Sequence, residues 1–171
     1  DGDAFRVSDF GSGREVIVAE AGGLPKGSDY VVGFFRGGPV ADVVTYKKGE
    51  KTIQFHPLTE AGGKLGVGEA KTFELANPIN LLVAVPKAQG AGLLAVYGKG
   101  ESAEVLALDA AGAPGTVQSI PTTSGDLIFG AVGLEESFLV FTGADYMKFA
   151  TDARVFKPEG ATYAAGELVK L

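Results

Sequence analysis

An all-β fold of three four-stranded repeats is what this sequence predicts, and three observations predict it. Residues 14–37, 80–98 and 126–143 repeat one another: each is an apolar run, a Gly-rich turn, a second apolar run and a glycine. Copies at this spacing signal one supersecondary unit stacked several times. The runs are four to six residues long, as at 16–19, 31–35, 81–85, 93–97 and 127–130. Helices usually need about ten residues or more, and the Gly, Pro and Ser between these runs leave no room for that. Finally, 26 of the 171 residues are glycine, about twice the usual share. They concentrate between runs, where tight turns need positive φ.

Each element follows in order. Runs 16–19 and 31–35 open the first unit, 81–85 and 93–97 the second, and 127–130 the third, followed by Phe138-Leu139-Val140-Phe141. These opening runs are apolar at successive positions, which predicts burial on both faces between neighbouring sheets. Third in order, Ala41-Asp42-Val43-Val44 matches Ala103-Glu104-Val105-Leu106, and Met147-Lys148-Phe149-Ala150 takes that place in the last copy. Residues 52–59 align with 116–123, and Thr162-Tyr163-Ala164 stands in the same register. Thr52-Ile53-Gln54-Phe55 and Thr116-Val117-Gln118 alternate, so one face is apolar and the other wet.

The units are therefore repeat 1 over about 14–59, an insertion over about 60–77, repeat 2 over about 80–123 and repeat 3 over about 126–171, in one domain. Within the insertion, 71–75 is too short for a helix and runs into Asn77-Pro78, so it reads as an extra strand or hairpin. Buried inner strands and half-solvated outer ones suit the blades of a β-propeller. Three blades cannot close a ring that usually holds four to eight. The partial propeller thus stands beside two alternatives, a self-closing β-trefoil and a two-sheet sandwich. In each case at least ten strands and little helix are expected.

Composition sets limits. A net charge of −6 and the lack of a basic run argue against nucleic acid or an anionic membrane as the main partner. No apolar stretch approaches the 18 or so residues of a membrane span. The chain has no cysteine, which excludes disulfides, thiolate metal sites and a cysteine nucleophile. Cysteine-free composition is compatible with bacterial export, and an extracytoplasmic setting is the expectation. Both ends look trimmed, as in a processed product or a piece of a longer chain.

Laid out this way, the repeat resembles the FG-GAP (VCBS-like) repeats of integrin-α-type propellers. Val7-Ser8-Asp9-Phe10-Gly11-Ser12-Gly13-Arg14-Glu15-Val16-Ile17-Val18-Ala19 looks like a degraded calcium loop followed by its strand. Leu82-Val83-Ala84-Val85-Pro86 sits where the family has its Gly-Ala-Pro strand. Leu94-Ala95-Val96-Tyr97-Gly98 and Ser137-Phe138-Leu139-Val140-Phe141-Thr142-Gly143 stand in place of Val-Tyr-Val-Phe-Gly. The resemblance implies a calcium loop, yet calcium takes six to eight oxygens. Only Asp9 and Glu15 survive in the first copy and Asp126 in the third, so Asp9 and Glu15 are the metal candidates and no cofactor is expected.

Catalytic chemistry needs groups that exchange protons or attack near neutral pH. The only histidine, His56, falls in an apolar strand, where it alternates outward or packs at an edge. Gly11-Ser12-Gly13 is too short for a phosphate cradle. A glycosidase pair could be drawn from Asp42, Glu104, Asp109, Asp145 and Asp152, although strand-end acids commonly serve as edge protection. Tyr30, Tyr46, Tyr97, Tyr146 and Tyr163 could line a sugar-stacking groove, with Tyr97 read as core. The expected function is a non-catalytic binding module for a protein or glycan. The alternatives are a structural assembly protein using blade edges and a glycosidase-like enzyme. Self-association, or further blades of a longer chain, would cover the open ends.

Overall fold

The computed structural model describes residues 3–9, 16–24, 26–62, 64–122 and 125–171. Fifteen strands and one short 3₁₀ turn at Asp145–Met147 make up the secondary structure of the described residues. Strand β1 (Asp3–Asp9) pairs with β2 (Val16–Leu24) as a separate hairpin. The first blade holds β3 (Asp29–Gly33), β4 (Asp42–Tyr46) and β5 (Thr52–Ala61), with β6 (Lys64–Val67) and β7 (Lys71–Glu74) both paired to β5. The second blade is β8 (Ile79–Pro86), β9 (Ala91–Tyr97), β10 (Ser102–Leu108) and β11 (Pro114–Ile120). The third is β12 (Asp126–Gly133), β13 (Phe138–Ala144), β14 (Asp152–Glu159) and β15 (Thr162–Lys170). All pairings are antiparallel.

The innermost strands β3, β8 and β12 stand side by side, and the sheets stack face to face. The chain is therefore a partial β-propeller. In a trefoil or sandwich the units would share a barrel or a sheet, whereas here each sheet is built from strands adjacent or nearly adjacent in sequence.

Two apolar seams hold the stack. The first packs Val44, Ile53 and Phe55 of blade one against Leu82, Leu93, Leu106 and Leu108 of blade two. The second packs Val85, Leu94, Val96 and Val105 against Ile128, Phe138, Val140, Phe156 and Tyr163. Because side chains alternate along a strand, β9 sends Leu93 and Ala95 into one seam and Leu94 and Val96 into the other. All four are fully buried, which is why that run is apolar at every position.

Copy one needs correcting. Val16 to Ala19 were expected to form the inner strand of the first unit, but they lie in β2 and pair with β1. The inner strand is β3, expected as the second. Consequently β4, containing Val43 and Val44, corresponds to β9 and not to β10, and β5 corresponds to β10 and not to β11. The stretch that looked like an insertion supplies β7, the blade's fourth strand, so 71–75 is indeed a strand. The expected burial gradient also shifts. The second strands β4 and β9 are the most buried, while β3 and β12 are half exposed along the inner edge.

Candidate functional site

Loops from all three blades meet at one end of the stack and enclose a cleft of about 390 Å³. Its walls are the segment after β3, the β8–β9 turn with the adjoining ends of β10 and β11, and the β14–β15 turn. Each wall is fixed by its own residues.

On the first wall, Arg36 Nη2 donates to Asp42 Oδ1 at 2.6 Å and to the Leu58 carbonyl at 3.0 Å, and its Nε donates to Asp42 at 3.0 Å. Asp42 has no exposed surface, whereas the Arg36 side chain keeps 30%. A buried carboxylate is tolerable only when paired and hydrogen-bonded, and this bidentate geometry supplies both. Arg36 also lies over the Phe55 ring at 5.8 Å.

On the second wall, Lys87 N–H donates to the Gly90 carbonyl at 3.1 Å, closing a Lys-Ala-Gln-Gly turn. The turn is anchored to blade one by Ala91 N–H donating to the Phe34 carbonyl at 3.1 Å. Lys87 forms no ion pair among the described residues and is half-buried in the wall.

The third wall depends on Tyr163. Its hydroxyl donates to the Pro86 carbonyl at 2.8 Å. Its backbone N–H donates to Gln118 Oε1 at 2.7 Å, and its carbonyl accepts from Gln118 Nε2 at 3.0 Å. Gln118 therefore stands in for a strand partner across the gap between blades. Burial raises the Tyr163 hydroxyl to about 12, so it stays a donor at neutral pH.

Of the sequence candidates, Tyr163 lines the cleft and Asp42 braces its first wall; the others fall elsewhere. Glu15 and the Gly11-Ser12-Gly13 turn lie outside the described residues, and Asp9 ends β1. Among the described residues no three His, Asp or Glu gather in a way that could hold a metal ion. The five acids nominated as a carboxylate pair each serve local structure or solvent. Asp42 holds Arg36. Glu104 accepts from Tyr97 and, at 2.7 Å, from Thr116. Asp109 caps its own turn by accepting from Ala111 and Ala113 N–H at 2.7 and 2.9 Å. Asp152 is held below the usual carboxylate range by Lys170 and Thr151, and Asp145 is exposed in the 3₁₀ turn.

His56 is buried, with Nε2 3.2 Å from Thr45 Oγ1, rather than turned to solvent or packed at an edge. Burial holds its pKa below the ordinary value. The tyrosines form no groove: Tyr46, Tyr97 and Tyr163 are core, while Tyr30 and Tyr146 are exposed. Sequence reasoning missed Arg36, Lys87, Gln89 and Thr162. The available signal was a charged, amide-bearing turn, Lys87-Ala88-Gln89-Gly90, between the apolar runs 81–86 and 91–97.

The cleft lies within the roughly 300–1,000 Å³ range of ligand sites. Its donors are Lys87, the exposed part of Arg36 and the Gln89 amide, and none of its lining residues is acidic. The lining thus offers hydrogen-bond donors and positive charge to whatever enters it.

No protein-family model and no curated protein matches the sequence. In structure the chain is similar to the WD40 domain of SCAP from fission yeast, with a TM-score of 0.68 and 9% sequence identity. The match covers 99% of this chain and 38% of that one. At this identity the likeness establishes the fold, a β-propeller. No helix among the described residues is long and apolar enough to cross a membrane.

Proposed function

We propose that this chain is a non-catalytic interaction module that works outside the cytoplasm and holds a protein segment in the three-walled cleft. The observation that carries the reading is the convergence of three separately braced loops on one polar cleft. Rigid sheets leave such loops free to specialise. Lys87 offers an ammonium to a carboxylate or carbonyl of the partner, and Gln89 offers an amide to its backbone. The FG-GAP-like strands around Leu94-Ala95-Val96-Tyr97-Gly98 support a cell-surface setting, since proteins with that pattern commonly act there. The lack of tryptophan and the scatter of the tyrosines favour protein over glycan.

A photo-crosslinking side chain at position 89 tests the cleft, with the same group at Glu167 on β15 as control. In the native host, the position-89 probe is expected to capture a discrete polypeptide, and Lys87→Glu is expected to suppress that capture. Equal capture at both positions, or capture insensitive to Lys87→Glu, would overturn the reading. Labelling of intact cells by a membrane-impermeant reagent checks the compartment.

A further inference from the structure

Blades two and three each carry a charged residue at the same place on the third strand. Glu104 stands two residues before the core residue Leu106 and opposite Ala95, and Arg154 stands two before Phe156 and opposite Val140. Glu104 is satisfied within its own sheet by the Tyr97 and Thr116 hydroxyls. Arg154 is not. Its Nε is buried without a hydrogen-bond partner, and it joins no ion pair among the described residues. Side chains two apart share a strand face, so Asp152 lies on the same side of β14. That carboxylate is already engaged by the Lys170 ammonium at 2.5 Å and the Thr151 hydroxyl at 2.7 Å. The Asp152–Lys170 pair cancels itself and leaves the Arg154 charge uncompensated.

Arg154 lines a cavity of about 90 Å³ between the second and third blades. Val140 and Leu168 flank it from the neighbouring strands, and the end of β11 closes the other side with Ile120 and the residues that follow it. None of the lining residues is acidic. A guanidinium keeps its charge at any physiological pH and holds five donors in a planar fork. Withdrawing part of that charge from water without an acceptor is costly, so the cavity is matched to an anion that enters it.

We infer that this cavity is a binding site for a carboxylate carried on a short apolar stem. The Arg154 fork meets the two oxygens of a carboxylate in parallel, and the Thr122 and Thr142 hydroxyls in the same lining supply further donors. The stem then lies against Ile120, Val140, Phe156 and Leu168. Size sets the length of that stem. One water needs about 10–15 Å³ of such space, so the cavity takes roughly six non-hydrogen atoms, the size of butyrate. A sugar is too large, and a bare tetrahedral oxyanion would leave the apolar walls facing water. The cavity shares no lining residue with the three-walled cleft, so this site stands independently of what that cleft holds.

The test titrates the 171-residue chain with butyrate at constant ionic strength and follows the Arg154 Nε–H resonance. A saturable shift of that signal is expected, with the melting temperature raised by about 3 °C at ten times the midpoint concentration. Butyramide, which lacks the charge, is expected to do neither, and Arg154→Met is expected to abolish the stabilisation. Leu168 is 41% exposed and directly across from Arg154, so Leu168→Glu brings a carboxylate to the site from within the chain. That variant is expected to melt higher than the native chain and to lose its response to butyrate. Acetyl-leucine, run beside butyrate, separates the two sources of such a group: tighter binding of acetyl-leucine marks the end of a polypeptide, tighter binding of butyrate a free acid. An Arg154 signal that neither acid moves would overturn the proposal. So would equal stabilisation of the Arg154→Met chain, or a response to sulfate that matches the response to butyrate.

Discussion

The two seams between blades are closed by different means. The first is tied mainly by main chain: Ile79 N–H donates to the Glu50 carbonyl and Gly49 N–H to the Ile79 carbonyl, at 2.8 and 2.7 Å, besides the Ala91–Phe34 bond. The second has one such bond, Ile128 N–H to the Gly100 carbonyl at 2.8 Å. Its remaining hydrogen-bonded ties are side chains, the Tyr163 hydroxyl and the Gln118 amide, while Phe138, braced within blade three by stacking on Phe156 at 5.0 Å and edge-on to Tyr163 at 5.2 Å, is buried in the seam. A seam tied by main chain tolerates side-chain change so long as the backbones can approach. A seam tied by side chains is only as strong as a few named residues.

Mutations can break or sharpen this contrast. The largest effect is expected from Phe138→Ala, which empties the centre of the second seam. Fully buried Phe replaced by Ala costs about 3–5 kcal/mol, measurable by urea denaturation. In the first seam the sensitive residue has no side chain at all. Gly112 sits at φ +85° with its α-carbon against the Phe55 ring, so Gly112→Ala is expected to cost about 2–3 kcal/mol through strain and displaced aromatic packing. Gln118→Ala leaves the Tyr163 backbone groups without their partner and should cost about 1–3 kcal/mol. Combined with Gly112→Ala its effect should simply add, because the two lie in different seams. Tyr163→Phe removes a single hydrogen bond, for a loss of about 1 kcal/mol.

The smallest effect is a pH dependence that belongs to neither seam. Burial holds the His56 imidazole below its ordinary pKa, so the folded chain binds that proton less readily than the unfolded one. The stability it contributes is complete above about pH 6.5 and is lost as pH falls through the lower folded value. Denaturation midpoints should therefore fall with acidification. A His56→Gln chain in which the decline below neutrality is undiminished would remove His56 as its cause.

Copy two and the first two strands of copy three were legible because turn residues bound their runs: Lys87-Ala88-Gln89-Gly90 between β8 and β9, and Leu134-Glu135-Glu136-Ser137 between β12 and β13. The third strand of copy three was misplaced, since 147–150 starts in the 3₁₀ turn and β14 takes Asp152–Glu159. Copy one was misread by one strand because an apolar run states that it is buried, not which strand it pairs with. Val16 to Ala19 look as much like an inner strand as Asp29–Gly33 does. Only the hydrogen-bond register separates them. The cleft was illegible for a related reason. Its walls come from residues near 36, 87 and 162, which no local pattern connects. The acids that did stand out, Asp42 and Glu104 among them, were prominent because they solve local problems of burial and pairing.

The meander within each blade has a kinetic meaning. Every ladder joins strands adjacent or nearly so in sequence, so assembling a blade closes only short loops, and short loops carry little closure entropy. Hairpins form in about 1–10 μs, and topologies dominated by local pairings fold fast for their size. Each blade can thus take shape before it meets its neighbour. The slow step then falls to docking, and the seam held by Gln118 and Tyr163, whose partners are 45 and 77 residues distant, is the one that must wait longest.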